Sequence, residues 1–152
     1  MRRLTLAAQT LVILALAILG FAAAPALAAD PAEGVWLVQA KDAKVRIGPC
    51  PGAAARLCGD IVWLQTPKTP EGQPKHDEHN PDPKLRARPI IGLTMIRDFR
   101  SSGAGRWDGG TIYDPHSGKT YKSKMRVAAD GTLKVDGCVL MFCQTQTWTR
   151  AG

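Results

Sequence analysis

Beyond Ala28 the sequence has no apolar run long enough to cross a membrane as a helix, so no transmembrane segment is expected in the mature chain. It also has no segment with apolar residues at helical period, which removes a helical domain. There is no C-x-x-C pair, the usual signature of a thiol-redox centre. There is no serine in a nucleophile elbow, which removes the commonest serine-hydrolase arrangement. Ser117-Gly118-Lys119-Thr120 ends like a phosphate-binding loop, but that pattern needs a glycine where Tyr113 stands, and the segment reads as a hairpin turn. Lys122, Lys124 and Arg126 form a basic stripe without interleaved aromatic residues, so nucleic-acid binding by base stacking is not expected. A solvated outer face explains the stripe, with anionic lipid as the alternative partner.

What is present begins with the N-terminus. Arg2 and Arg3 precede an uncharged apolar run from Leu11 to Phe21, and Ala26-Leu27-Ala28 is a small-residue cleavage pattern. That order is a secretory signal peptide over residues 1–28, and the alternative is an uncleaved anchor. The cysteines lie far from the cleavage point, which argues against a lipid-anchored terminus. Residues 29–152 then form a single exported domain, periplasmic or secreted, with room for a modest core. The net charge is +7, of which Arg2 and Arg3 supply two.

Cys50, Cys58, Cys138 and Cys143 are therefore expected in an oxidising compartment, where disulfides are the default. Four cysteines allow about three connectivities. Pairing of near neighbours, Cys50 with Cys58 and Cys138 with Cys143, is favoured because each closes a short loop or hairpin. Each closure contributes about 2–3 kcal/mol in the chain-entropy view. The spacing within each pair is wider than a zinc Cys₄ site normally uses.

Tyr121 to Val127 alternates strictly, with Tyr121, Met125 and Val127 on one side and Lys122, Lys124 and Arg126 on the other, which marks a strand with one buried face. Leu133 to Asp136 repeats the pattern, and Asp130-Gly131 between them is a hairpin signal. Lys44–Ile47, Gly59–Gln65, Ile90–Arg97, Arg106–Tyr113, Val35–Gln39 and Gln144–Arg150 complete about eight strands. Gly109-Gly110 predicts a bulge or sharp bend. The fold class is thus all-β, an antiparallel barrel or sandwich of short strands. If the first strand pairs with the last, a barrel closes; Trp36 then covers its floor under Arg150, and Gly34 lets the backbone pass close by. Gly34, Trp36, Trp148 and Arg150 are the candidates for that closure, an arrangement that resembles lipocalin-like, or calycin, barrels.

A broader resemblance covers nearly the whole mature domain. It rests on Gly34-x-Trp36, Cys58-Gly59-Asp60-Ile61-Val62, Asp77-x-x-Asn80-Pro81-Asp82, Arg88-Pro89-Ile90-Ile91-Gly92-Leu93, Trp107-x-Gly109-Gly110-x-Ile112-Tyr113-Asp114-Pro115, Gly118-Lys119-x-Tyr121 and Trp148-x-Arg150. Together these resemble the bacterial exported family called domain of unknown function 2147. The resemblance implies a small lipocalin-like β-barrel and carries over no catalytic residue.

The densest polar stretch is His76 to Pro89. His76 and His79 with Asp77, Glu78 and Asp82 invite a metal site, but Pro81 and Pro83 forbid the regular helix that would aim both histidines together. A hydrolase reading would pair Asp77 and Asp82 with His79 as base. The preferred reading is a self-braced strap: Asn80-Pro81 and Asp82-Pro83 start turns, and Arg86 and Arg88 reach back to Asp77 or Asp82. No cofactor, metal or catalytic residue is expected. The leading function is a non-catalytic module that binds a small apolar ligand at the barrel mouth or associates with an envelope component. The alternatives are the hydrolase of the Asp77–Arg88 loop and a protein-interaction factor working through the basic face.

Overall fold

The computed structural model describes residues 29–152, so the signal peptide expected over residues 1–28 lies outside the described residues. Eight strands follow in order: β1 (Gly34–Leu37), β2 (Ala43–Cys50), β3 (Ala53–Leu64), β4 (Thr94–Gly103), β5 (Arg106–Asp114), β6 (Lys119–Val127), β7 (Leu133–Val139) and β8 (Phe142–Arg150). Each pairs antiparallel with the next, and β1 pairs with β8, with Trp36 opposite Arg150, so the sheet closes into a barrel. Closure satisfies both edges that an open sheet would expose.

The alternating sequence explains the strands. Along β6 the buried Ser123 and Met125 alternate with exposed Lys122, Lys124 and Arg126. Asp130-Gly131 turns the chain between β6 and β7, with Gly131 at φ 77° and Ala128 N–H donating to the Thr132 carbonyl at 2.8 Å. A register shift between Trp107 and Gly110 marks the expected bulge in β5. It is built on Gly109 at φ 67°, and a Cβ on Gly110 would overlap the Phe99 ring.

Several strands run longer than the sequence reading, such as β2 to Cys50, β7 to Val139 and β8 from Phe142, and three further boundaries differ for a visible local reason. Ile90–Leu93 is not a strand: Gly92 adopts φ 92° and donates to the Ile61 carbonyl at 2.7 Å, while Ile61 N–H donates to the Leu93 carbonyl at 2.9 Å. Ile90 and Leu93 are apolar because the loop buries them, and β4 begins at Thr94. The third strand starts earlier than Gly59, at Ala53, because Gly52 at φ 73° makes a tight turn directly after β2. The first strand stops at Leu37, where Val38 N–H turns to the Ala43 carbonyl at 3.1 Å.

The barrel has a sealed end and an open end. At the sealed end Trp36 and Trp148 are fully buried. The Arg150 guanidinium lies 4.4 Å from the centre of the Trp36 ring and donates to the carbonyls of Glu33 (3.0 Å) and Pro31 (2.7 Å). Trp36 Nε1 donates to the Ala32 carbonyl at 2.8 Å, and Trp107 Nε1 to Asp30 Oδ2 at 3.1 Å. The segment before β1 is thereby tied across the floor. Gly34 sits at φ 126°, and a Cβ on it would come within 2.7 Å of Arg150 Nη1. The structure pairs Cys50 with Cys58 and Cys138 with Cys143. The first disulfide ties β2 to β3 at the sealed end, and the second straddles β7 and β8 at the open end.

The bulge supplies a direct test of core fit. Gly110→Ala forces a methyl group into the Phe99 ring, and overpacking of this kind costs about 1–3 kcal/mol. Urea unfolding of the variant is expected to show a lowered midpoint at unchanged slope.

Candidate functional site

The chain between β3 and β4, residues 65–93, crosses the open end as a strap. It doubles back on itself: Asp77 N–H donates to the Arg88 carbonyl and Ile90 N–H to the Lys75 carbonyl, both at 3.0 Å, with His76 and Pro89 bridged. The turn residues work as their chemistry dictates. Asn80 Oδ1 accepts from Asp82 N–H at 2.9 Å, and Asp82 Oδ1 accepts from Lys84 N–H at 3.0 Å, capping a short 3-10 helix at Pro83–Leu85. That helical turn swings Arg86 and Arg88 back toward Asn80 and Asp77.

At the centre is Asp77, whose side chain is fully buried. Its Oδ1 accepts from the Tyr113 hydroxyl at 2.6 Å. Its Oδ2 accepts from Asn80 Nδ2 at 2.7 Å and from Arg88 Nη2 and Nε at 2.7 and 2.9 Å. Asn80 Nδ2 also reaches the Tyr113 oxygen at 3.2 Å, and the Arg88 guanidinium lies 5.7 Å from the Tyr113 ring centre. The strap is thus clamped to β5. It also rests on the turn before β6, where a Cβ on Gly118 (φ 69°) would overlap the His79 carbonyl. Burial raises the Tyr113 hydroxyl above the ordinary phenol range, and its bond to the Asp77 carboxylate and that charge add to the rise; Asn80 and Arg88 oppose it.

The loop residues named from the sequence divide between two duties. Asp77, Asn80 and Arg88 form the buried clamp, joined by Tyr113, which sequence reasoning did not place there. Arg86 does not pair with a carboxylate; its Nε donates to the Asn80 carbonyl at 2.8 Å. Asp82 is exposed and caps a turn, so Asp77 and Asp82 do not share one site. Both Asp77 oxygens are engaged within the clamp, and neither is offered to a substrate. Among the described residues no group of three or more His, Cys, Asp or Glu side chains is placed to hold a metal ion.

Two concavities flank the strap. A cleft of about 460 Å³ lies beside it, with His76, His79 and His116 together with Glu78 and Asp42 on its walls. The other, about 480 Å³, enters the upper barrel interior between β4 and β8. Ile112, Tyr121 and Val135 line it, Val139 and Phe142 frame it, and Asp114, Gln144 and Gln146 supply polar groups. Gly137 keeps it open: a Cβ there would stand 3.8 Å from Ile112 and 3.9 Å from Tyr121, in ordinary contact and facing the space between them. An apolar cavity with a few polar groups is the usual form of a small-molecule site. None of the mouth residues was singled out from the sequence as a binding residue. The available signal was Val139-Leu140-Met141-Phe142, an apolar run at a hairpin turn where polar residues are the norm.

Comparison with known proteins agrees with this architecture. The model of a family described as an uncharacterized protein conserved in bacteria, DUF2147, matches residues 34–150. A solved structure, protein HP1028 from the human pathogen Helicobacter pylori, described as belonging to the lipocalin family, superposes with a TM-score of 0.66 at 22% identity, over 79% of this chain and 82% of that one. No curated protein matches.

The clamp generates an ordering of stabilities. Asp77→Ala strips the acceptor from four donor groups on three residues and is expected to cost about 2–4 kcal/mol. Arg88→Ala leaves a buried carboxylate with two neutral donors and falls just below it, whereas Asp82→Ala removes only a cap, about 1 kcal/mol. Urea denaturation of the three variants checks the order. The raised Tyr113 pKa means that the fold retains a phenol proton that the unfolded chain has lost. Its contribution is complete below the unfolded value of about 10 and disappears as pH rises through the folded value. Tyrosinate absorbance in a Tyr121→Phe background is expected to titrate above the ordinary phenol range and to return to it on unfolding.

Proposed function

We propose that this chain, which belongs to the bacterial DUF2147 family, is an exported, non-catalytic binding protein that takes a small apolar ligand into the mouth of its barrel. The observation that carries the reading is the cavity of about 480 Å³ at the open end, lined by Ile112, Tyr121 and Val135 and kept empty of side chains by Gly137. Its apolar walls suit a ligand with an apolar body, and Asp114, Gln144 and Gln146 suit a polar, hydrogen-bonding end group. The sealed floor supports the same reading, because a plugged barrel presents one entrance. The Asp77 clamp acts in this reading as a brace that holds the strap beside that entrance. A catalytic part is disfavoured because Asp77 spends both oxygens on Tyr113, Asn80 and Arg88. Export to the periplasm or beyond is supported by the two disulfides and by the signal-peptide pattern of the N-terminus.

Filling the cavity tests the proposal. Gly137→Leu places an isobutyl group between Ile112 and Tyr121. Anilinonaphthalene sulfonate, a dye that brightens in apolar sites, is expected to bind the native fold and to lose at least about tenfold in affinity to this variant. The melting temperature is expected to hold or rise, since a strand glycine is replaced by a side chain with space to occupy. Undiminished dye binding by a folded Gly137→Leu protein would place the site elsewhere.

A further inference from the structure

The tip of the β7–β8 hairpin breaks the ordinary rules for a surface turn. Val139, Leu140, Met141 and Phe142 are consecutive, and Leu140, Met141 and Phe142 are 93%, 91% and 82% exposed. Leu140 adopts φ 53°, a left-handed conformation that two-residue hairpin turns normally give to glycine or asparagine. The Cys138–Cys143 disulfide pins the two strands directly below the tip, with the two cysteines as cross-strand partners. A stapled hairpin therefore holds apolar side chains in water at an unfavourable backbone conformation.

The surroundings of the tip are basic. Lys122 stands opposite Cys138 in the β6–β7 register, and Lys124 is the next exposed residue along β6. Lys119 and Lys122 border one groove running up to Leu140, and Lys122 and Lys124 border another running up to Leu140 and Met141. Lys122 faces Thr111 and Cys138 and has no acidic residue opposite it, whereas the other two lysines each face a carboxylate that is also held by neutral donors. Asp136, opposite Lys124, accepts from the Thr145 hydroxyl at 2.6 Å. Asp114, opposite Lys119, accepts from His116 N–H at 3.0 Å and the Ser117 hydroxyl at 2.6 Å.

We infer that the Val139–Phe142 tip inserts into an anionic lipid bilayer surface, with Lys119, Lys122 and Lys124 resting on the headgroups. Apolar residues at the point of a structure with cations set just behind them match the two layers of such a surface, acyl boundary and negative headgroups. A second copy of the chain fits less well. A stable protein interface needs about 800 Å² from each partner, and a narrow convex tip of four residues does not offer it. The docking site is distinct from the ligand reading, because Leu140 and Met141 do not line the cavity. Phe142 and Val139 belong to both, so a docked tip would set the cavity mouth at the lipid surface.

The test uses the protein recovered from the periplasm of an exporting bacterial host, sedimented with vesicles of equal parts phosphatidylglycerol and phosphatidylcholine, or of phosphatidylcholine alone. Leu140→Gly with Met141→Ser supplies the residue types that a tight turn with one left-handed position prefers, so this variant is expected to fold at least as well as the native protein. The native protein is expected to bind the anionic vesicles and to lose binding in high salt. The turn variant and Lys122→Glu with Lys124→Glu are each expected to lose about tenfold or more. Both are expected to keep native dye binding, which separates this inference from the ligand proposal. Equal binding to both vesicle types, or unchanged binding by the turn variant, would overturn it. So would vesicle indifference accompanied by a native dimer that the turn variant dissolves.

Discussion

Everything distinctive about this molecule depends on the pairing of its first strand with its last. That pairing sets Trp36 opposite Arg150 and brings the guanidinium over the indole ring. The same guanidinium holds two carbonyls of the segment before β1, and a glycine at position 34 leaves space for it. One arginine thus joins the closing strands, covers a buried tryptophan and ties down the chain that seals the floor. An exposed cation–π contact alone is worth only about 0.5–1 kcal/mol. Its consequence is larger than its energy, because it fixes which end of the barrel is closed and which is left open.

The open end is divided between rigidity and access. The strap spends its polar residues on itself: a buried carboxylate, a phenol, an amide and a guanidinium saturate one another. Breaking such a cluster leaves buried groups unpaired, so it holds one geometry. Across the mouth, β7 presents the opposite character, with Val135 and Val139 on its wall and a glycine where a side chain would otherwise fill the space; β8 adds two glutamines to the wall and shares the apolar tip pinned by a disulfide. A braced side and a greasy side around one entrance are what a protein needs if it is to receive a water-averse molecule without collapsing onto its own cavity.

The sequence made some of this legible and hid the rest for identifiable reasons. Alternation in β6 and β7 could be read because one face is buried and the other solvated. The meeting of Trp36 and Arg150 could be anticipated because only closure brings the two ends of an all-β domain together. Ile90–Leu93 misled because hydrophobicity reports burial and not backbone conformation; a loop that tucks Ile90 and Leu93 under itself looks like a strand. Charge and spacing did not say whether Arg86 or Arg88 meets Asp77, and the 3-10 turn at Pro83–Leu85 decides it. Tyr113 was invisible as a clamp residue because its partners lie more than thirty positions away in the chain. The cavity was hidden for the same reason: residues spread over five strands, β4 to β8, compose it, and its key feature is the side chain that Gly137 lacks.

The central claim is that the upper barrel interior, and not the histidine-lined cleft beside the strap, receives an apolar ligand. Methyl-resolved NMR during titration with anilinonaphthalene sulfonate tests it most directly. The account requires shifts at Met95, Ile112, Val135 and Val139, which border the barrel mouth. Shifts confined to Leu64 and Ile90, on the wall of the other cleft, would contradict it.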